Sequence, residues 1–358
     1  MTPATKFYIP SLDGIRTVAF LVVFIAHAGL GRLIPGGFGV TIFFFLSGYL
    51  ITTLLRREYE RSGTIRFKNF YMRRILRIWP SFYIVLLLAM GISYLLSPEA
   101  GFTLQNLQAF LAQSFHVANY YNISFGKQGM ALGTEVYWSL AVEEHFYLLF
   151  PLLYIVLLRL GLGPRKQSFL FWGICLLVLL WRCLLVFAMG ADSDRIFYGT
   201  DTRLDSLLFG CALAVSGNPM LDQEQQISER RLKYFLFPLG LTLILCSLLY
   251  RPDAFRDTLR YSIQGIALYP IFITAIRFPD WVVFRPLNWE WVRLMGILSY
   301  GLYLVHFMVL QVLNLAVPGH GLLVYGIGAL LLSVGLAYTI YQCIEIPASK
   351  LKRQFTSH

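Results

Sequence analysis

The chain has 358 residues, of which 57% are hydrophobic and only 14% charged, and it carries a formal net charge of +11. Soluble domains are about a quarter charged, so this composition excludes an ordinary soluble enzyme and indicates an integral membrane protein. The positive residues lie between apolar stretches rather than on a polar domain, which argues for membrane topology and an anionic ligand and against nucleic acid.

Apolar segments long enough to cross a bilayer fall at roughly 14–31, 38–55, 76–96, 138–158, 168–188, 204–217, 235–250, 258–276, 293–315 and 321–343. They predict an all-α, polytopic membrane protein with about ten transmembrane helices, the sixth and seventh short. One integral-membrane domain fills residues 1–358, without internal repeat, low-complexity tract or soluble appendage. The first apolar run carries Asp13, Arg16 and His27, lacks a small-residue cleavage site and leads directly into a second span, so no signal peptide is expected. The five cysteines show no metal-like spacing, and neither a zinc site nor a disulfide framework is expected.

Charge orients these spans. The loop after the second reads "RREYERSGTIRFKNFYMRRILR", whereas the next, about 97–137, has Lys127 as its only basic residue. "RLGLGPRK", "ERRLK" and the tail "SKLKR" fall on the same side as the first cluster if both termini are cytoplasmic. The loops near 190–203 and 250–260 mix Arg with Asp on the outer side and fit less well.

In the first span, "RTVAFLVVFIAH", ten residues separate Arg16 from His27. Eleven helical steps cover about 16 Å, roughly half the hydrocarbon core, so Arg16 belongs near the cytoplasmic face and His27 in the outer half. Intramembrane ionisable groups are costly and mark function unless locally satisfied; an interfacial histidine bonded to a helix carbonyl is the plain alternative for His27. In the second span, "GGFGVTIFFFLSGYLI" has small residues that permit close helix approach and contains Ser47, a conceivable nucleophile without a base nearby in sequence.

At the start of the third span, "YMRRILRIWP" presents Arg73, Arg74 and Arg77, with Arg74 and Arg77 on one helix face. Guanidinium forks pair bidentately with phosphate oxygens, so a phosphorylated cytoplasmic ligand suits them; topology or anionic lipid would equally account for the charge. "EVYWSLAVEEHFYLLFP" puts Glu143 and Glu144 at about the expected depth of His27. Adjacent helical residues differ by about 100°, so one carboxylate could accept from His27 while the other meets an arginine, structural ion pairing being the alternative. His145 points elsewhere on that helix. "TDTRLDSLLFG" places Arg203 and Asp205 at the outer mouth of the sixth span, and "SYGLYLVH" puts Tyr303 and His306 on one face of the ninth, as acceptor-site or supporting residues.

Together with "SLDGIRTVAFLVVFIAH", "NFYMRRILRIWP" and "WSLAVEEHFYLLFP", these motifs occur in the order seen in membrane-bound acyltransferase family 3, which the chain resembles from Tyr8 to about Pro347. That family includes O-antigen and exopolysaccharide O-acetyltransferases and some macrolide acyltransferases. The resemblance implies ten helices in a bacterial cell membrane and transfer of an acyl group, commonly acetyl, from acyl-CoA to a hydroxyl. It matches Arg16 and His27 to one functional pair, Arg74 and Arg77 to another, and Glu143 and Glu144 to a third motif, without saying which glutamate acts. Acyl-CoA is then expected as co-substrate, with no permanently bound cofactor and no metal. Its phosphates would sit on Arg73, Arg74 and Arg77, with Arg16 beside them, and its arm would reach towards His27 as general base. A neighbouring carboxylate would fix the histidine tautomer. Acyl-His27 and acyl-Ser47 intermediates both stay open. The acceptor is a glycan or a small secreted metabolite, and the acyl chain length is open. Some family members carry an additional esterase-like domain; none is read in these residues, so a function that needs it is expected to come from elsewhere. The competing class is a proton-coupled transporter, which more often shows a repeat or broken helices at matching positions.

Overall fold

In a bilayer every backbone N–H and C=O has to be bonded within the protein, so apolar stretches of this length settle as helices. The structure, a computed structural model, describes residues 10–97, 101–222, 227–317, 319, 321–352 and 355, and these contain helices and no strands. In chain order the helices are α1 (Pro10–Ile25, widening into a π turn at Ala26–Leu30), α2 (Gly36–Ser62), α3 (Phe67–Leu96), α4 (Leu104–Ser114) and α5 (Ala118–Phe125). They continue as α6 (Trp138–Arg159), α7 (Pro164–Cys183), α8 (Ser193–Tyr198), α9 (Thr200–Val215) and α10 (Glu229–Arg231), which runs through a π turn into α11 (Phe237–Leu249). The last are α12 (Asp253–Asp257), α13 (Leu259–Arg277), α14 (Glu290–Ile297), α15 (Ser299–Ala316), α16 (Leu322–Ile340) and α17 (Ile346–Lys352).

Among the described residues nine helices are long and apolar enough to cross a membrane. The expected sixth span is the exception. α9 has 16 residues, about 24 Å against a core of about 30 Å. Its residues from Arg203 onwards are almost all buried, and it packs chiefly on α2 and α7. A helix sheltered by protein need not match the lipid thickness, which is how a short, charge-bearing segment sits inside the bundle. Contact is close: a Cβ on Gly48 would lie 2.0 Å from the Leu207 carbonyl, and one on Gly210 2.0 Å from that of Phe45. Only hydrogen fits at these two positions, so they set the α2–α9 spacing.

Contacts give the helix directions. Thr41 meets Arg203 and Arg56 meets Ala214, so α2 and α9 run parallel. Arg182 meets Thr202 and Trp172 meets Phe209, so α7 and α9 are antiparallel. Ser139 meets Tyr303 and Glu135 meets Gln311, so α6 and α15 are antiparallel as well. These pairings obey strict up-and-down alternation when α9 is counted as the sixth crossing. The expected ninth segment is divided: Leu298 separates α14, which lies against the start of α1, from α15. The expected outer loop at 97–137 contains α4 and α5, α4 being closed at its N-terminus by a Thr103–Asn106 capping box.

One end of the bundle therefore gathers the close of α2, the start of α3, the close of α6 and the start of α7, with most of the basic clusters. We expect this basic end to face the cytoplasm; the extreme termini, which share that expectation, lie outside the described residues. On a background without native cysteines, a cysteine at Ser62 should be shielded from an impermeant reagent added outside, and one at Ser124 labelled. Both positions are exposed, at opposite ends. The reverse labelling pattern would invert the orientation.

Candidate active site

At the basic end, α1, α2, α3, α6 and α15 enclose a cavity of about 280 Å³. Its wall brings together Arg16, Ser47, Arg74, Arg77, Glu143, Glu144 and Tyr303, seven of the residues picked out in the sequence, from five helices. Arg16 is held by Asp13, one turn earlier on α1, at 2.8 Å. Arg74 lies over the rings of Phe70 and Tyr147, 5.9 and 5.2 Å from their centroids. Neither Arg74 nor Arg77 forms an ion pair or hydrogen bond among the described residues, and Arg77 is exposed. Two guanidinium forks on one helix face thus meet the cavity with donors unused.

Opposite them, Glu143 is fastened on both oxygens. Ser47 Oγ donates to Oε1 at 3.1 Å and the Tyr147 hydroxyl to Oε2 at 2.8 Å. Ser47, which has no base nearby in sequence, has a carboxylate against it in space, supplied by a residue 96 positions away. Tyr147 follows Glu143 by four residues, so the spacing on α6 alone could have pointed to it. Tyr303 closes the inner wall, its hydroxyl 2.6 Å from Ser139 Oγ and donating to the Val136 carbonyl at 3.0 Å.

His27 is not in this wall. It sits in the π turn that ends α1, where Gly29 takes φ 112°, a backbone conformation that glycine tolerates. Gly29 breaks the helical path there, so the chain kinks just beyond His27. Among the described residues no carboxylate meets His27 as expected; its Nδ1 lies 3.0 Å from His306 Nε2. Glu143 is out of reach because the helices are offset. From the Ser139–Tyr303 contact, Glu143 is four residues towards the basic end and His306 three residues towards the other. Those steps separate the two by about 10 Å along the bundle. His306 adjoins the cavity only through Tyr303, whose backbone carbonyl accepts from its Nδ1 at 2.8 Å.

Two other expectations are corrected. Arg73 points away from the cavity, donating to Glu58 Oε2 at 3.1 Å and to the Phe355 carbonyl at 2.7 Å, so its fork is already occupied. Arg203 and Asp205 are not at an outer mouth; both are fully buried. Asp205 pairs with Arg182 at 2.7 Å, while Arg203 lies 4.0 Å from the centroid of Tyr261 and donates to Thr41 Oγ1 at 3.1 Å. His145 does point elsewhere, to Thr200 Oγ1 at 2.8 Å.

A family model described as an acyltransferase domain, that of acyltransferase family 3, matches residues 9–342. The chain belongs to acyltransferase family 3. It is 33% identical over 323 residues to the peptidoglycan O-acetyltransferase OatA of Listeria monocytogenes, covering 86% of this chain and 50% of that protein. Against a putative O-acetyltransferase of Staphylococcus aureus the identity is 32% over 314 residues, covering 85% of this chain and 51% of the relative. The putative peptidoglycan O-acetyltransferase YrhL of Bacillus subtilis is 32% identical over 317 residues, with 85% and 49% covered. This family 3 chain spans about half the length of the curated relatives it matches. No solved structure matches it.

Sequence reasoning about this family 3 chain missed Asp13 and Tyr147 as partners of site residues, although each is one helical turn from the residue it holds. It also missed Arg182, an ionisable group inside the expected fifth span. No local signal marks its pairing with Asp205, 23 positions on.

Proposed function

We propose that the chain is a membrane-embedded O-acyltransferase that moves an acyl group, acetyl above all, from cytoplasmic acyl-CoA to a hydroxyl of a cell-envelope glycan. Peptidoglycan is the acceptor class suggested by the names of its relatives. The observation that carries this reading is the cavity at the basic end, where the Arg74 and Arg77 forks converge with no ion pair among the described residues, beside Arg16, which Asp13 holds through one nitrogen. Phosphate oxygens are the ligands such forks fit. The acyl-bearing arm would extend along α1 past Phe20 and Phe24 towards His27. There the acceptor's O–H proton passes to His27 as its oxygen bonds to the thioester carbonyl carbon. The C–S bond breaks, and the proton goes on to the departing thiolate. Membership of an acyltransferase family weighs against the transporter alternative.

Arg74→Lys and Arg77→Lys test the donor site. Lysine keeps the charge that sets topology but not the planar fork. Insertion should be preserved, while affinity for acetyl-CoA falls roughly tenfold or more, since a charge-assisted bond contributes ~1.5–3 kcal/mol. A short thioester lacking the nucleotide phosphates should lose far less. Equal loss for both donors would instead mean helix misplacement, and no loss would return these arginines to topology alone.

One observation favours a second course for the same reaction. The Ser47–Glu143 bond pairs a hydroxyl with a carboxylate inside the cavity, as an acyl-Ser47 intermediate would need. Mass spectrometry of protein quenched with acetyl-CoA in the absence of acceptor would find the acyl group on Ser47 if this course is taken.

A further inference from the structure

We infer that His306 is a positioning residue that holds His27 in the tautomer protonated on Nδ1, so that Nε2 of His27 carries the lone pair facing substrate. The catalytic part of this inference rests on the reading of His27 as general base; the tautomer does not.

The argument is one of elimination along a hydrogen-bonded chain. His306 Nδ1 lies 2.8 Å from the Tyr303 carbonyl and 3.2 Å from that of Leu302. Carbonyl oxygens only accept, so Nδ1 carries the proton. The ring is fully buried, edge-on to Phe20 at 5.7 Å and close to Phe24 and Tyr303. No carboxylate touches it among the described residues. A second proton there would be an unpaired charge in an apolar interior, the costliest arrangement available. The neutral ring has one N–H, already spent on the backbone, so Nε2 is left as an acceptor. His27 Nδ1, 3.0 Å away, must then donate. The two ring planes are nearly parallel, 16° apart with centroids 5.2 Å from each other, an arrangement compatible with the N–H···N bond. With Nδ1 committed, His27 Nε2 is the unprotonated nitrogen.

The geometry thus replaces the expected carboxylate with a second imidazole anchored to the α15 backbone. When His27 takes the hydroxyl proton on Nε2, its Nδ1–H already points at the His306 lone pair, so the imidazolium meets a ready acceptor without ring rotation. His306 touches no reacting atom; it acts through the orientation and protonation of its neighbour.

Nitrogen-15 NMR of histidine-labelled protein in lipid bilayers reads the tautomer without any assay of activity. The chain has six histidines, so His27→Gln and His306→Gln assign the two signals by difference. Expected in the wild type is a protonated Nδ1 and an unprotonated Nε2 on both rings. In His306→Phe the His27 signal should shift to, or mix with, the Nε2–H form. A protonated Nε2 on His27 in the wild type, or an unchanged tautomer in folded His306→Phe, overturns the inference. A pair of variants adds the kinetic side and covers a His306→Phe that fails to fold. Gln places a carbonyl oxygen near the Nε2 position and keeps an acceptor for His27; Asn reaches only the Nδ1 position. His306→Asn should cost roughly 10–100-fold in kcat, with His306→Gln losing clearly less and neither changing KM for acetyl-CoA. Equal losses, or a loss confined to KM, would also overturn it. Failure of the base assignment looks different: His27→Gln would then retain full transfer while the wild-type tautomer stays as stated.

Discussion

Acyl transfer is expected to collapse in His27→Ala while the protein still inserts and folds. Loss of a positioned general base costs typically 10²–10⁴-fold, the largest effect on rate anticipated from any single change here. The residue occupies the turn at the far end of α1, packs on Phe307 with ring centroids 4.5 Å apart, and among the described residues bonds only to His306. Truncation removes that bond and leaves a buried acceptor on His306, which costs about 1–3 kcal/mol. His27→Gln, closer in size, separates chemistry from packing. Transfer from labelled acetyl-CoA, measured beside detergent size-exclusion profiles, decides the matter. Substantial transfer by a well-inserted His27→Ala protein would remove the base from the mechanism.

The largest loss of stability should come from Asp205→Leu. Arg182 and Asp205 are both fully buried and 2.7 Å apart. The same guanidinium donates to the Thr202 carbonyl at 2.6 Å, the Thr258 carbonyl at 3.1 Å and Ser262 Oγ at 2.7 Å. Arg182 therefore ties α7 and α9 to the start of α13. Removing one partner of such a pair leaves an uncompensated buried charge and costs about 3–5 kcal/mol. Thermal unfolding in detergent should show a markedly lower midpoint for Asp205→Leu, whereas the double change Arg182→Leu with Asp205→Leu should regain part of the loss. An Asp205→Leu protein as stable as the wild type would show that the carbonyls and Ser262 suffice for Arg182, and that Asp205 is kept for another purpose.

The two predictions concern residues that the sequence treats very differently. His27 is visible because an ionisable group in a lipid-spanning stretch stands out against its neighbours, and its distance from Arg16 follows from helix geometry. Arg182 lies inside the expected fifth span, at the end away from the basic clusters where topology asks for no positive charge, but its carboxylate partner is 23 positions away and leaves no local signal.

The same contrast runs through the molecule. Lipid acts on each segment separately, demanding apolar length and internally bonded backbone. The spans, the basic end and the shared face of Arg74 and Arg77 are therefore local properties, and the sequence alone determined them. How far one helix slides along the next is not local. It depends on which surfaces interlock, for instance Gly48 and Gly210 against the backbones of the facing helices. A sequence gives no common zero for depth on different helices, so it put Glu143 level with His27, although His306, the residue His27 meets, is about 10 Å from Glu143 along the bundle. Tertiary packing alone decided that Glu143 meets Ser47, that His27 meets His306 across 279 positions, and that the segment holding Arg203 and Asp205 lies inside the bundle rather than at its mouth. The physical reason is that lipid tails are as apolar as the side chains they touch, so helix-to-helix contacts are chosen by shape and polar pairing, neither of which leaves a periodic trace in a single chain.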